Sequence, residues 1–125
     1  MSKKILIVED EVSLSKIIQK KLQNEGFETE IARSVEEAWS ILQRPGAVVV
    51  VWLDHYLLGT ASGLDLVAKM KREDSQLKNI PIFVVSNTAT PEKIQSYINL
   101  GVNKYYTKAN YSLETIVTDI KSAIF

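Results

Sequence analysis

The sequence predicts an α/β fold in which five parallel strands form one sheet with helices on both faces. Strand-like and helix-like segments alternate along the chain in five pairs. The stretch 47–54 (AVVVVWLD) is apolar at consecutive positions until it ends in Asp54, which is typical of a central strand covered on both sides. With 125 residues, the chain is about half as long as a closed barrel of eight strands and eight helices.

The first half of the chain predicts three strands and two helices. The strands are 4–8 (KILIV), 27–31 and 47–54. Apolar residues at helical spacing predict a helix from residue 12 to about residue 25, before a glycine that favours a helix stop. Ser34 and Glu37 have the spacing of a capping box and predict the start of a second helix, which the Pro-Gly pair at 45–46 ends. Its predicted buried residues are Val35, Ala38, Trp39 and Leu42.

The second half predicts two more strands and three helices. A loop after Asp54 leads to a helix that begins near Gly63. The inward residues of that helix are Leu64, Val67 and Met70. Strand 80–86 tolerates its proline at the start, and a cap followed by a first-turn proline predicts helix 91–100. A strand at 102–107 precedes a last helix opened by Ser112. The apolar face of this helix consists of Leu113, Ile116, Val117, Ile120 and Ile124.

Right-handed crossovers between parallel strands favour the order 2-1-3-4-5, the doubly wound arrangement of flavodoxin-like proteins. We therefore expect one domain over residues 1–125. In such sheets, ligands bind at the carboxyl ends of the strands, next to the topological switch point, which lies between the first and third strands here. Glu9 and Asp10 follow the first strand and Asp54 ends the third, so three carboxylates should lie close together.

The composition limits the classes of partner. Fifteen basic residues balance fifteen acidic ones, so the net charge does not indicate nucleic-acid or membrane binding. The chain has no cysteine, which fits a reducing cytoplasm. The sequence shows no secretory leader and no apolar stretch of membrane-spanning length. No output domain is visible after the last helix, which leaves open whether the chain acts alone or is part of a longer regulator.

The predicted site suits a phosphoryl group. Clustered carboxylates without histidine or cysteine favour a hard cation, and Mg²⁺ tolerates a few carboxylates together with phosphate oxygens. Ser86 ends the fourth strand and adds a hydroxyl, and Lys108 follows the fifth strand and adds an ammonium group. One carboxylate nucleophile and several groups that neutralise phosphoryl oxygens would therefore surround one point.

The strand ends resemble those of the response-regulator receiver domain over essentially the whole chain. The matching segments are KILIVEDE (4–11), VVVVWLD (48–54), FVVSN (83–87) and YYTKA (105–109). The resemblance implies that Asp54 is the phosphoacceptor and that Glu9, Asp10 and the backbone carbonyl of Tyr56 complete a Mg²⁺ site. It also implies that Asp54 receives a phosphoryl group from a histidine kinase or a histidine phosphotransfer protein.

The same resemblance implies which residues respond to phosphorylation. It implies that Ser86 and Lys108 bind the phosphoryl oxygens and that Tyr105 is the aromatic residue that rotates. A downstream protein or output domain would recognise the changed surface, and the chain could form a homodimer. Tyr56 and Thr88 flank the site and are candidates for tuning the lifetime of the phosphoryl group.

Four positions depart from the family pattern. Leu58 stands where proline is usual, and Gly63 comes one position later than the common spacing, so the loop after Asp54 carries an inserted residue. Ala109 replaces the proline that usually follows the lysine, and Asn87 is bulkier than the residue common after the hydroxyl. The departures motivate a second hypothesis, in which the chain is a phosphorylation-independent interaction module.

Other residues have simpler interpretations. His55 is expected to be an exposed loop residue, and Glu11 an acid that favours the first helix turn. Tyr105 and Tyr106 could alternate between faces of an outer strand, and both tryptophans are expected to pack in the interior. Asp54, Ser86 and Lys108 could each be ordinary loop residues if they did not converge.

Two enzyme classes fit less well. A Rossmann-like or flavodoxin-like nucleotide-binding protein should have glycines after its first strand, where this chain has three acids at 9–11. A phosphatase similar to haloacid dehalogenases should have a second acid two positions after Asp54, where this chain has Tyr56.

Overall fold

The computed structural model describes residues 3–44, 48–87 and 90–124. Its strands are β1 (Lys4–Val8), β2 (Glu28–Ala32), β3 (Val48–Leu53), β4 (Ile82–Val85) and β5 (Lys104–Tyr106). Its α-helices are α1 (Val12–Asn24), α2 (Val35–Gln43), α3 (Gly63–Met70), α4 (Pro91–Leu100) and α5 (Leu113–Ile124). A short 3₁₀ turn, Lys108–Asn110, joins β5 to α5.

The five strands are parallel and lie in the order β2-β1-β3-β4-β5, which confirms the predicted topology. Side chains of the central strand alternate between two hydrophobic cores. Val51 and Leu53 face the core built with α2, α3 and α4, whereas Val50 and Trp52 face the core built with α1 and α5. The continuous apolar run of β3 is therefore explained by burial on both faces.

Helix starts follow the predicted capping residues. The Ser34 hydroxyl accepts a hydrogen bond from the backbone N–H of Glu37 at 3.1 Å, and Thr90 does the same for Lys93 at 3.3 Å. At the other end of the first helix, Gly26 adopts a left-handed φ of +94° just after α1, as expected of a helix stop.

Several boundaries and buried positions differ from the prediction. In α3, Leu66 is fully buried, whereas the predicted Leu64 is half-buried. Strand β2 lies one residue later than predicted, and β4 and β5 are shorter at both ends. In α2, Ile41 is buried, whereas Trp39 is half-buried with the Lys69 ammonium 5.0 Å from its ring centroid. The predicted stop at Pro45-Gly46, the first residue of the predicted central strand and Thr88 lie outside the described residues.

Candidate functional site

Three carboxylates meet where β1 and β3 end. Glu9, Asp10 and Asp54 each offer one oxygen, and these oxygens lie within 4.8 Å of one another. The parallel pairing continues past the strands, because the Glu9 N–H donates to the Ala32 carbonyl and the Asp54 N–H to the Val8 carbonyl, both at 2.9 Å. The central part of the sheet thus fixes the backbone of both acids. Glu9 and Asp54 are buried, whereas Asp10 is half-buried.

Lys108 contacts two of these acids from the β5 side. Its Nζ lies 2.9 Å from Glu9 Oε1 and 3.6 Å from Asp54 Oδ2. Burial raises the pKa of Glu9, and the charge of Asp54 adds to this effect, while the hydrogen bond from Lys108 opposes it. Burial alone would lower the pKa of Lys108, but its hydrogen bond to Glu9 and the nearby acids raise it. One cation facing three acids leaves excess negative charge, so this set of oxygen donors fits a divalent cation.

Ser86 is buried at the end of β4, and its backbone connects the site to β5. Its N–H donates to the Tyr106 carbonyl at 2.9 Å, and its carbonyl accepts from the Lys108 N–H at 3.3 Å. The Tyr105 hydroxyl also donates to the Ser86 carbonyl, at 3.4 Å. Tyr105 is half-buried and Tyr106 is fully buried, so the two tyrosines occupy different environments, as alternation along an outer strand predicts.

Asn87 and Ala109, two of the departures from the receiver pattern, contact each other. The Ala109 N–H donates to Asn87 Oδ1 at 2.7 Å. Proline has no N–H, so it could not form this bond. The Asn87 side chain therefore supplies an acceptor for the backbone N–H of Ala109, which a proline at this position would lack.

The loop after β3 also has contacts that the usual proline could not make. The Leu58 N–H donates to the Arg33 carbonyl at 3.1 Å, and Leu58 forms an isolated parallel bridge with Ser34. At the end of this loop, the Gly63 N–H donates to the His55 carbonyl at 3.0 Å. The loop is thus tied to α3 and to the connection between β2 and α2.

The expected exposure of His55 is wrong. The residue is 3% exposed, its N–H donates to Asp54 Oδ1 at 2.8 Å, and its Nδ1 lies 2.6 Å from the hydroxyl oxygen of Tyr97 on α4. Burial and the nearby Lys93 charge lower the pKa of His55, although Asp65 opposes this, and burial raises the pKa of Tyr97. Both groups therefore favour their neutral forms, which share a hydrogen bond whose direction is set by the tautomer of the imidazole.

Sequence reasoning missed this pair because its members lie 42 positions apart and neither belongs to a known motif. The inward spacing of Ile94, Tyr97 and Leu100 on α4 could have predicted that Tyr97 is buried. No feature of the sequence identified His55 as its partner.

The remaining candidate residues lie around the rim. Tyr56 is exposed, and its hydroxyl accepts a hydrogen bond from Lys93 Nζ at 3.2 Å. Glu11 precedes the first residue of α1, and its N–H donates to Glu9 Oε2 at 3.2 Å. Thr88, the second candidate for tuning the phosphoryl lifetime, is outside the described part of the chain.

The family model for the response regulator receiver domain matches residues 5–121. Among curated relatives, chemotaxis protein CheY1 of Helicobacter pylori is 32% identical over 106 residues, which cover 84% of each chain. The uncharacterized transcriptional regulatory protein YkoG of Bacillus subtilis is 30% identical over 120 residues, covering 96% of this chain. This chain spans only 50% of that relative.

A comparison with solved structures finds the same fold in a chemotaxis protein. The crystal structure of Vibrio cholerae chemotaxis protein CheY4 superposes with a TM-score of 0.85 at 25% identity, covering 99% of this chain and 100% of the other. The chain therefore belongs to the response regulator receiver domain family of two-component signalling systems. Members of this family are signalling switches that bind Mg²⁺ through acidic residues and interact with histidine kinases and downstream targets. Within the described residues, no helix is both long and apolar enough to cross a membrane.

Proposed function

We propose that Asp54 is the phosphoacceptor of a receiver domain formed by residues 1–125, and that a histidine kinase or histidine phosphotransfer protein supplies the phosphoryl group. The observation that carries this proposal is the position of the Asp54 carboxylate. It lies among two other acids and 3.6 Å from the Lys108 ammonium. An isolated loop aspartate would have neither the clustered acids nor the half-buried lysine beside it.

The metal ligands in this proposal are Glu9, Asp10, Asp54 and the backbone carbonyl of Tyr56. Hard oxygen donors of this kind suit Mg²⁺. When bound, the cation would neutralise part of the carboxylate charge and of the charge on the incoming phosphoryl group.

The chain's own residues supply the rest of the reaction. An oxygen of the Asp54 carboxylate attacks phosphorus, an O–P bond forms, and the bond to the donor nitrogen breaks with its electron pair leaving on that nitrogen. Lys108 and the Ser86 hydroxyl offset charge on the phosphoryl oxygens. Hydrolysis by water returns the carboxylate and inorganic phosphate. The chain would thus act as a switch that catalyses only its own phosphorylation and dephosphorylation.

The switching step in this proposal uses the connection between β4 and β5. The Ser86 carbonyl accepts hydrogen bonds from both Lys108 and Tyr105. A shift of Ser86 toward a phosphoryl oxygen would therefore change the position of Tyr105 and the surface near α4. We expect a downstream protein, an output domain or a second copy of the chain to recognise that surface in the cytoplasm.

Tyr56 is our candidate for tuning the lifetime of the phosphoryl group, together with Thr88. The Tyr56 side chain is exposed and contacts Lys93, which lies in the first turn of α4. Tyr56 lies two positions after Asp54, and we expect its aromatic ring to affect the access of water to phosphorus.

Intact-mass measurement after treatment with acetyl phosphate tests the proposal. We expect one phosphoryl group on the wild type with Mg²⁺ and none after chelation of the cation. Asp54→Asn should abolish incorporation, whereas Asp74→Asn, which changes an exposed acid paired with Arg72, should not affect it. Full incorporation on Asp54→Asn would refute the assignment. A folded wild type that accepts no phosphoryl group would instead favour the phosphorylation-independent interaction module.

A further inference from the structure

We propose that His55 and Tyr97 are positioning residues that couple phosphorylation of Asp54 to helix α4. The proposed connection runs from the Asp54 carboxylate to the His55 backbone, through the His55 ring, and to the Tyr97 hydroxyl. It does not pass through Ser86, and it meets the other connection where Tyr97 packs beside Tyr105. The inference rests on the proposed function, because it concerns how the phosphorylated state of the same site changes the molecule.

The first step joins Asp54 to His55. The His55 N–H donates to Asp54 Oδ1 at 2.8 Å in a buried environment. Phosphorylation converts the carboxylate into an acyl phosphate, whose remaining carbonyl oxygen no longer carries the carboxylate charge. Hydrogen bonds to ionised acceptors are about twice as strong as those between neutral groups. Phosphorylation should therefore weaken the bond that holds the His55 backbone in its present position.

The second step joins His55 to Tyr97. Their 2.6 Å contact is buried, and the Tyr97 side chain has no exposed surface. The two rings meet edge to face, with centroids 5.6 Å apart. Separation would leave buried polar groups without partners, which is unfavourable. Movement of His55 should therefore displace Tyr97 as well, because the two groups retain their hydrogen bond.

The third step carries this displacement to α4 and β5. Tyr97 belongs to α4, and its ring centroid lies 5.9 Å from that of Tyr105 on β5. Gly63 keeps this region tightly packed, because a Cβ there would lie 2.5 Å from the Tyr97 hydroxyl and 2.8 Å from the Asp54 carbonyl oxygen. With so little free space, a shift beside Asp54 cannot be absorbed locally.

The test compares two buried tyrosine hydroxyls on opposite faces of the sheet. Tyr97→Phe removes only the hydroxyl that contacts His55. Tyr106→Phe is the matched control, because Tyr106 is equally buried but donates to Asp119 at 2.7 Å in the other core. Amide hydrogen exchange over residues 91–100 is measured with Mg²⁺, before and after acetyl phosphate. Intact mass gives the phosphorylated fraction of each sample.

We expect wild type and both variants to accept the phosphoryl group. The phosphorylation-dependent change in α4 exchange should shrink by a factor of about 2 or more in Tyr97→Phe, and should persist in Tyr106→Phe. A wild-type response in Tyr97→Phe, or an equal loss in both variants, would overturn the coupling. If the wild type is not phosphorylated, the proposed function and this inference both fail. If it is phosphorylated and Tyr97→Phe responds normally, only this inference fails.

A second pair of variants keeps the test decisive if Tyr97→Phe does not fold. His55→Asn retains a hydrogen-bonding atom near the position of Nδ1, whereas His55→Leu retains only apolar bulk. After normalisation to the phosphorylated fraction, the exchange response of α4 should be larger in His55→Asn than in His55→Leu. Equal responses in these two variants would show that the hydrogen bond does not transmit the change.

Discussion

The loop after β3 and the loop after β5 both depart from the receiver pattern, but their replacement contacts reach different parts of the molecule. After β5, Ala109 donates to Asn87, which lies two residues after the end of the neighbouring strand β4. After β3, Leu58 donates to Arg33 in the connection between β2 and α2, and His55 contacts Tyr97 on α4. The first adaptation is local, whereas the second connects separate elements.

This difference shows that the departures need not have the same consequence for switching. The Ala109–Asn87 hydrogen bond forms where the family usually has a proline. Lys108 lies beside Glu9 and Asp54 all the same. The contacts of the longer loop add a buried connection from Asp54 to α4. Substitutions in the loop after β5 should therefore affect chemistry or local stability, while those after β3 should affect how the site communicates with α4.

The largest expected effect comes from a substitution in the loop after β5, and it is a slower phosphorylation of Asp54. Lys108→Gln removes the ammonium group that offsets phosphoryl charge, and we expect the rate of incorporation from acetyl phosphate to fall on the order of 100-fold. Time-resolved intact mass measures this rate. Lys121→Gln is the control, because Lys121 forms an exposed ion pair with Glu25 on a different surface. A Lys108→Gln rate within about twofold of wild type would contradict the proposed role.

Gly63→Ala should have the next largest effect, on stability. The new methyl group would clash with the Tyr97 hydroxyl and with the backbone of Asp54. Overpacking of this kind typically costs about 1–3 kcal/mol. Urea unfolding measures the loss. Tyr97→Phe in the same chain should relieve part of the clash, so the double variant should lose less stability than the sum of the single variants; strict additivity would contradict this packing.

Restoring the usual proline at position 58 should destabilise this particular loop. Leu58→Pro removes the N–H that donates to Arg33, and we expect it to cost about 1 kcal/mol more than Leu58→Ala, which keeps that donor. Chemical denaturation of the two variants compares them directly. Equal stability would show that the backbone hydrogen bond does not anchor the loop.

The smallest effect should come from the local contact after β5. Asn87→Ala should cost about 0.5–1 kcal/mol, because its partner N–H is exposed and can bind water instead. In an Ala109→Pro background, which has no N–H at that position, the same substitution should cost almost nothing. Unfolding free energies of the four proteins give the coupling between the two positions. Equal costs in both backgrounds would mean that the hydrogen bond does not explain why these two departures occur together.

Much of the fold was predictable because it depends on local periodicity and on general rules for parallel strands. The apolar run of β3 and the alternation of segments led to the observed strand order. The acids were located because they lie at or just after the ends of predicted strands, and strand ends of a parallel sheet share one edge. Lys108 was located in the same way, and the structure places it beside Glu9 and Asp54.

The loop contacts were not predictable, because they depend on side-chain packing between distant segments. His55 has the sequence context of an exposed loop residue, and only the approach of α4 buries it against Tyr97. The contact between Asn87 and Ala109 likewise requires the loops after β4 and β5 to lie side by side. The receiver pattern identified Asn87 and Ala109 as departures but could not show that these two residues contact each other.

The most direct test of the account is chemical localisation of the phosphoryl group. Borohydride reduces an aspartyl phosphate to homoserine, and peptide mass spectrometry then identifies the modified position. After treatment with acetyl phosphate and Mg²⁺, we expect homoserine in place of Asp54, and no conversion when the cation is chelated. Conversion of a different acid, or conversion of Asp54 to the same extent without Mg²⁺, would contradict the account.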